Sequence, residues 1–207
     1  MKKTISLILA AVMILAAFAL TGCSSGKGKS LDDIKKAGKL VVYTEAGFAP
    51  YEFIYNNEIV GVDIEIMKEV AKKLGVKAEV SDVDFNTICA SVKSGKADVG
   101  AAGITINDDR KLSVDFSMPY STTEQYIIVA ENNDTIKTLE DLSGKKIGVQ
   151  EGTTSDSAVN KLISDKVVTD TVVTGYKSPA IAAFPEPPPP PQPHPFRTRS
   201  MPSLPTS

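Results

Sequence analysis

The chain has no Trp, a single His and two Cys among its 207 residues. With so few imidazole and thiol groups, a zinc site of the usual Cys/His kind has no ligand set. No metal and no cofactor is expected. The lone His194 lies in a proline-rich tail, so a folded Ser-His-Asp or Cys-His arrangement has no base. A Gly-x-Ser-x-Gly elbow, a His-Glu-x-x-His helix and a glycine-rich phosphate loop are all missing. The adjacent acids Asp108 and Asp109 read as a solvated cap, so the chain is not read as an enzyme. Positive charge is not in excess either. The formal net charge is −2, which argues against a nucleic-acid binder that relies on a broad basic surface. Hydrophobic residues make up 42% and charged residues 23%, so most of the chain can bury a core.

Proline is scarce in the body of the chain. Ten of the thirteen prolines fall in residues 185–207. The amino terminus differs in another way. Lys2 and Lys3 precede an apolar run from Ile5 to Leu20, followed by Leu20-Thr21-Gly22-Cys23. A basic start, an apolar run and small residues before a cut mark a secretory signal peptide, here residues 1–22. The run is at the short end for spanning ~30 Å of hydrocarbon. The Leu-Thr-Gly-Cys stretch resembles a bacterial lipobox. That resemblance implies a diacylglyceryl group on Cys23, with acyl chains such as palmitate, and two chains hold a membrane where one is marginal. Ser24 to Ser30 is a polar tether, and residues 23–37 form the lipidated tether and linker. With Cys23 acylated, Cys89 has no disulfide partner. It reads as a small hydrophobe on an apolar helix face.

Residues 38–184 alternate between two periodicities. Leu40–Tyr43, Tyr51–Tyr55, Val76–Val80, Ala97–Ala102, Tyr126–Ala130, Lys146–Val149 and Val167–Val173 read as strands. Helices are predicted behind Asp63 as a cap, over Phe85–Val92, as a short turn at Leu139–Leu142 and over Ser155–Ile163. Ser178-Pro179 reads as the start of another helix. Strands alternating with helices imply an α/β fold with mostly parallel sheets, which bind ligands beyond the carboxyl ends of the strands. The informative loops are therefore 44–50, 103–110 and 150–154.

In the second of these, Gly103 permits close approach to the backbone, Thr105 offers a hydroxyl and Arg110 a planar fork that matches a carboxylate. In the third, Gln150-Glu151-Gly152-Thr153-Thr154-Ser155 stands before a helix, whose first turn has free N–H groups and a positive dipole end. Two anion-friendly loops suggest a small carboxylate held between two lobes. Each piece also has a plain structural explanation. Gly103 and Gly152 can be turns, Arg110 can pair with Asp115 on the surface, and Thr153-Thr154 can cap a helix.

The order of motifs goes further. Phe48-Ala49-Pro50-Tyr51-Glu52-Phe53, Gly61-Val62-Asp63-Ile64-Glu65, Gly95-Lys96-Ala97-Asp98-Val99, Ala101 to Ile106, Arg110, Asp115 to Tyr120, Leu139 to Lys145 and Gly152 to Ser155 follow one another. This set resembles the polar amino-acid-binding proteins of ABC importers, extracytoplasmic solute-binding family 3. The resemblance implies a two-lobed, periplasmic-binding-protein-like (type II) fold, with lobe 1 over 38–130 and a partial lobe 2 over 131–184. It implies that Arg110, Thr105 and the backbone at Gly103 hold the α-carboxylate of a free amino acid, polar or charged. Thr153 and Thr154 would reach that carboxylate from the second lobe. Phe48 and Phe85 would pack on the ligand side chain, and Glu45 and Gln150 would tune specificity. The implied partners are an ABC permease with its ATPase and, through the lipid, the membrane. The implied state is a monomer outside the cytoplasm, anchored to the cell membrane.

The resemblance breaks at Phe184-Pro185-Glu186 and five consecutive prolines from 187 to 191. In the family this region carries a further strand, an Asp for the ligand ammonium and the return to the first lobe. A proline run adopts extended polyproline II and cannot supply central-strand N–H groups. Residues 185–207 therefore read as a disordered tail, with a frameshift or truncation preferred over a natural proline-rich linker. A bare sheet edge in lobe 2 and weak or absent binding are expected. The alternatives to a receptor are a cyclohexadienyl-type dehydratase similar to this family, a sensor, or a non-functional fragment.

Overall fold

The computed structural model describes residues 28–179, 182 and 196–199. The signal segment, Cys23, the proline run and His194 lie outside the described residues.

The body opens with helix α1 (Leu31–Ala37), whose Ser30 cap and Asp33 side chain bond reciprocally to each other's backbone N–H. Strand β1 (Lys39–Thr44) follows and forms the centre of a parallel sheet. Strand β5 (Lys77–Asp82) lies on one side, in register from Lys39↔Lys77 to Thr44↔Asp82, and the short β6 (Val99–Gly100) on the other. The run Ala97–Ala102 is thus much less strand than its composition suggests. Ala97, Ala101 and Ala102 are apolar because they are buried, while only two residues join the ladder. Between β1 and β5 the chain makes an antiparallel meander, β2 (Gly47–Phe48), β3 (Glu52–Tyr55) and β4 (Glu58–Val60). Asn56 and Asn57 both adopt positive φ at the β3–β4 turn, as the turn signal predicts.

Helix α2 (Val62–Leu74) closes at Gly75, with φ 73°, as expected. Its start differs from the sequence reading. Gly61 is the cap residue and makes no side-chain bond, while Asp63 lies inside the first turn, buried. A 3-10 turn (Phe85–Thr87) leads into α3 (Ile88–Lys93), and Gly95 follows with φ 75°. Ile34, Leu40, Val42, Ala71 and Ala101 form the core of this lobe, with Met67 and Val80 against it.

After the one-turn helix α4 (Asp108–Lys111) the chain runs without regular structure to β7 (Ile127–Ala130). A second core then assembles from Leu142, Leu162 and Val168, with Ile127 and Ile147 packed on it. It is built by a 3-10 turn (Glu140–Leu142), β8 (Lys146–Gln150), α5 (Thr154–Ser164) and β9 (Val172–Tyr176), with β8 and β9 parallel. Val167–Thr171 precedes that strand as a turn, with Asp170 at φ 54°. Pro179 is helical, and the Ala182 N–H donates to the Ser178 carbonyl at 3.1 Å, one turn of the expected helix. Two separate cores, each beneath its own parallel strands, give the α/β two-lobed architecture, with the second lobe the smaller.

One segment departs from the disordered-tail expectation. Phe196–Arg199 forms β10, antiparallel to β7 with Phe196↔Ala130 and Arg199↔Ile127. These four residues stand beyond the proline run and keep all their N–H groups, so they can join a ladder that the prolines cannot. β7 is therefore paired at these four positions, while among the described residues the second-lobe sheet holds only β8 and β9, so the bare edge expected there is not filled by β10.

Among the described residues no helix is long and apolar enough to cross a membrane.

Candidate functional site

The loop after β6 is shaped by two anchors. Gly103 takes φ 54°, and its N–H donates to Asp63 Oδ2 at 2.8 Å. A Cβ at position 103 would stand 3.3 Å from the Phe48 ring, so glycine is what lets this backbone pass the aromatic. Further on, Asn107 caps α4 by accepting from the Arg110 N–H at 2.9 Å. That cap fixes the backbone from which the Arg110 side chain turns back over its own loop.

Arg110 Nη1 donates to the Thr105 carbonyl at 2.7 Å, and Nη2 donates to the Gly152 carbonyl at 3.0 Å. The guanidinium carbon lies 5.5 Å from the Phe85 ring centroid, within cation–π range. The guanidinium therefore faces the 150–154 turn across the gap between lobes. The surface pair with Asp115 does not form. Among the described residues Arg110 has no carboxylate partner, although seven other ion pairs are present. Burial pulls its proton affinity below the ordinary guanidinium value, and nearby Cys89 opposes that pull. Cys89 itself is a half-buried free thiol.

The facing turn is built by a helix cap. Thr153 Oγ1 accepts from the Asp156 N–H at 3.2 Å and donates to the Gln150 carbonyl at 2.8 Å. Gly152 takes φ 74°, and its N–H donates to Asp156 Oδ2. Gln125, on the segment between the lobes, donates to Thr154 Oγ1 and accepts from the Ser155 hydroxyl. Thr153 and Thr154 thus do cap and brace α5, and the same turn is what Arg110 meets.

Glu45 is buried just past the end of β1. Burial pushes its carboxyl above the ordinary range, a hydrogen bond with Gln150 pulls the other way, and Asp82 and Asp84 add to the rise. Gln150 also donates to the Lys177 carbonyl, and Lys177 pairs with Asp84 across the gap at 2.6 Å. Phe48 stacks on Tyr51 with ring centroids 5.5 Å apart and stays exposed on its other side.

Glu45, Phe48, Phe85, Gly103, Thr105, Arg110, Gln150, Thr153 and Thr154 all line a single cavity of about 1250 Å³. Thr105 is the weakest of them as a side-chain contact, because the group it uses is its carbonyl. The sequence reading missed three polar groups that line the same cavity, Glu52, Asp63 and Tyr120. Glu52 and Asp63 are each 1% exposed, and the Tyr120 hydroxyl donates to Asp63 Oδ2 at 2.7 Å. Glu52, Asp63 and Tyr120 all sit inside the quoted motifs, but nothing in their spacing assigns them a task.

Comparison with known proteins gives one family. Residues 40–196 match the bacterial extracellular solute-binding proteins, family 3. The arginine-binding extracellular protein ArtP of Bacillus subtilis is 38% identical over 162 residues, 78% of this chain and 61% of that protein. The L-cystine-binding protein TcyJ of Escherichia coli is 37% identical over 59% of this chain and 47% of its own. The chain thus spans about half to three-fifths of the curated relatives it matches. Among solved structures, an ancestral arginine-binding protein bound to arginine superposes with TM-score 0.65 at 47% identity, over 70% of this chain and 63% of that one. Holo ArgBP from T. maritima superposes with TM-score 0.68 at 38% identity, over 74% and 66%.

Proposed function

The chain belongs to the bacterial extracellular solute-binding proteins, family 3, and from that premise we propose that it is an extracytoplasmic receptor for a free amino acid. The observation that carries the reading is the half-buried Arg110 guanidinium, which has carbonyls on both sides, an aromatic ring against it and no carboxylate partner among the described residues. A cation so placed has its fork free to exchange a carbonyl for a carboxylate, and charge-assisted bidentate bonds are the stronger kind. In this reading Arg110 takes the α-carboxylate, with the 103–105 backbone from the first lobe and Thr153 and Thr154 from the second. Phe48 and Phe85 flank the ligand side chain. Glu45, with Gln150, faces its far end and favours a polar or cationic group. The names of several relatives point to polar or cationic amino acids.

The receptor hands its ligand to an ABC permease driven by an ATPase, and a lipid on Cys23 holds it at the membrane. Metabolic labelling with a palmitate analogue tests the anchor: label in the wild type and none in Cys23→Ser is the expected result. Amide shifts of Gly103 and Gly152 on titration with a panel of amino acids test the ligand class. A shift confined to unrelated surface positions would contradict it.

A dehydratase is the second reading, because Glu45 is a buried carboxyl with raised proton affinity and one similar structure is described as an ancestral amino-acid-binding precursor of cyclohexadienyl dehydratase. Incubation with a prephenate-like acid and detection of the aromatised product separates the two.

A further inference from the structure

At the Gly103 loop two buried acids and the partly exposed Tyr120 form an arrangement that the contacts assigned to the ligand do not explain. Asp63 sits in the first turn of α2, its own N–H bonded to the Tyr51 carbonyl at 3.0 Å. Its Oδ2 receives two donors, the Gly103 N–H at 2.8 Å and the Tyr120 hydroxyl at 2.7 Å. Gly103 starts the loop that carries Thr105 and Arg110. Tyr120 belongs to the irregular 112–126 stretch that leads from the first lobe to β7. Glu52, from β3, faces Asp63, and both side chains are 1% exposed. No cation pairs with either acid among the described residues. Among the described residues each acid leaves one buried oxygen without a partner, Oε2 of Glu52 and Oδ1 of Asp63.

We propose that Asp63, backed by Glu52, is the positioning residue of the candidate site: one carboxylate oxygen locks the ligand loop, through Gly103, to the inter-lobe segment, through Tyr120. This rests on the amino-acid reading above only for the identity of what the loop holds.

The chemistry requires the two acids to differ. Two bare carboxylates in a desolvated space repel, so one keeps a proton. Asp63 has two donors on one oxygen and sits in the first turn of α2. Glu52 has neither. Burial first, and then the Asp63 charge, push its carboxyl up to about 9. The titratable groups facing Glu52 and Asp63 are Glu45 from the β1–β2 loop and Tyr120 from the inter-lobe segment, with Tyr51 beside Tyr120. None of these is a cation. The Tyr120 phenol is pushed up by burial and by its bond to Asp63, so it remains a donor where Glu52 titrates. Gly103 and Tyr120 thereby share one acceptor oxygen of Asp63, beside a Glu52 carboxyl that keeps its proton until the pH nears its raised value.

The test uses the full chain, first without ligand. In the wild type the Gly103 amide shift should inflect at a pH of about 9, where Glu52 ionises. Glu52→Gln should remove that inflection and keep Gly103 protected from hydrogen exchange. Asp63→Asn should speed Gly103 exchange by about tenfold or more, the loss of a charge-assisted bond. An inflection that survives in Glu52→Gln overturns the proposal, as does unchanged Gly103 exchange in Asp63→Asn. If Asp63→Asn does not fold, the Glu52→Gln profile decides alone. Calorimetric titration with L-arginine on both sides of that inflection adds a second arm. The wild type should lose affinity at the higher pH by about tenfold more than Glu52→Gln does, and comparing two chains at each pH cancels the titration of the ligand ammonium. Equal loss in both chains overturns the proposal. Absence of arginine binding in both at either pH counts against the amino-acid reading instead, and the Gly103 readout still decides this one.

Discussion

Arg110 Nη2 and the Gly152 carbonyl oxygen stand 3.0 Å apart, and this single bond joins the two loops that the sequence marks as anion-friendly. The bond uses half of a fork whose other half goes to the Thr105 carbonyl in the same lobe. A carboxylate entering between the loops competes with two neutral carbonyls and offers the guanidinium a full negative charge in their place.

Replacing Arg110 therefore separates binding from folding. Arg110→Ala should weaken amino-acid binding by roughly 2–5 kcal/mol, the cost of truncating one partner of a desolvated charge pair. The melting temperature should fall little, because the residue is half-buried and its partners are carbonyls at the loop rims. Arg110→Lys keeps the charge and loses the fork, so it should recover only part of the affinity. Calorimetry and thermal melts on the same samples check both halves.

Gly103→Ala should destabilise the first lobe by about 1–2 kcal/mol, since it combines a positive φ with a tight approach to Phe48. The urea midpoint reads the loss. An unchanged midpoint would mean that the ring moves aside freely.

Glu52 makes stability depend on pH in a defined direction. Its folded-state carboxyl is raised to about 9 from an ordinary 4.5, so between these values the native state holds a proton that the unfolded chain has released. Its contribution is then fullest below the unfolded value and is lost as pH rises toward the folded one, at up to about 1.4 kcal/mol per pH unit. Glu52→Gln should flatten that slope and melt higher than the wild type at pH 8. Urea titrations between pH 5 and 9 check the sign.

Thr153→Ala should cost about 1 kcal/mol through loss of the α5 cap, and Thr153→Ser should restore most of it. If the cap is also a ligand contact, the alanine variant loses affinity beyond what its stability loss explains.

The loops were legible in the sequence because their chemistry is local. Gly103, Arg110, Gly152 and Thr153 are residue types that announce a turn, a fork and a cap, and each does locally what its type suggests. The parallel strands were legible from apolar runs, although Ala97–Ala102 shows that such a run reports burial before it reports a ladder. Asp63 was misread for a physical reason. An acid ahead of a helical apolar pattern has the signature of a cap, and only packing brings the Gly103 N–H and the Tyr120 hydroxyl to its side chain. Phe196–Arg199 was hidden by averaging, since its four residues carry no proline while their surroundings are full of it.

The most direct test of the central claim removes the carboxylate from the ligand and leaves the rest. Amide-shift titrations detect weak as well as tight binding. The account predicts that L-arginine shifts Gly103 and Gly152–Thr154, while agmatine, the same molecule without its carboxylate, leaves them in place. Equal shifts with both ligands, or none with any amino acid, would contradict it.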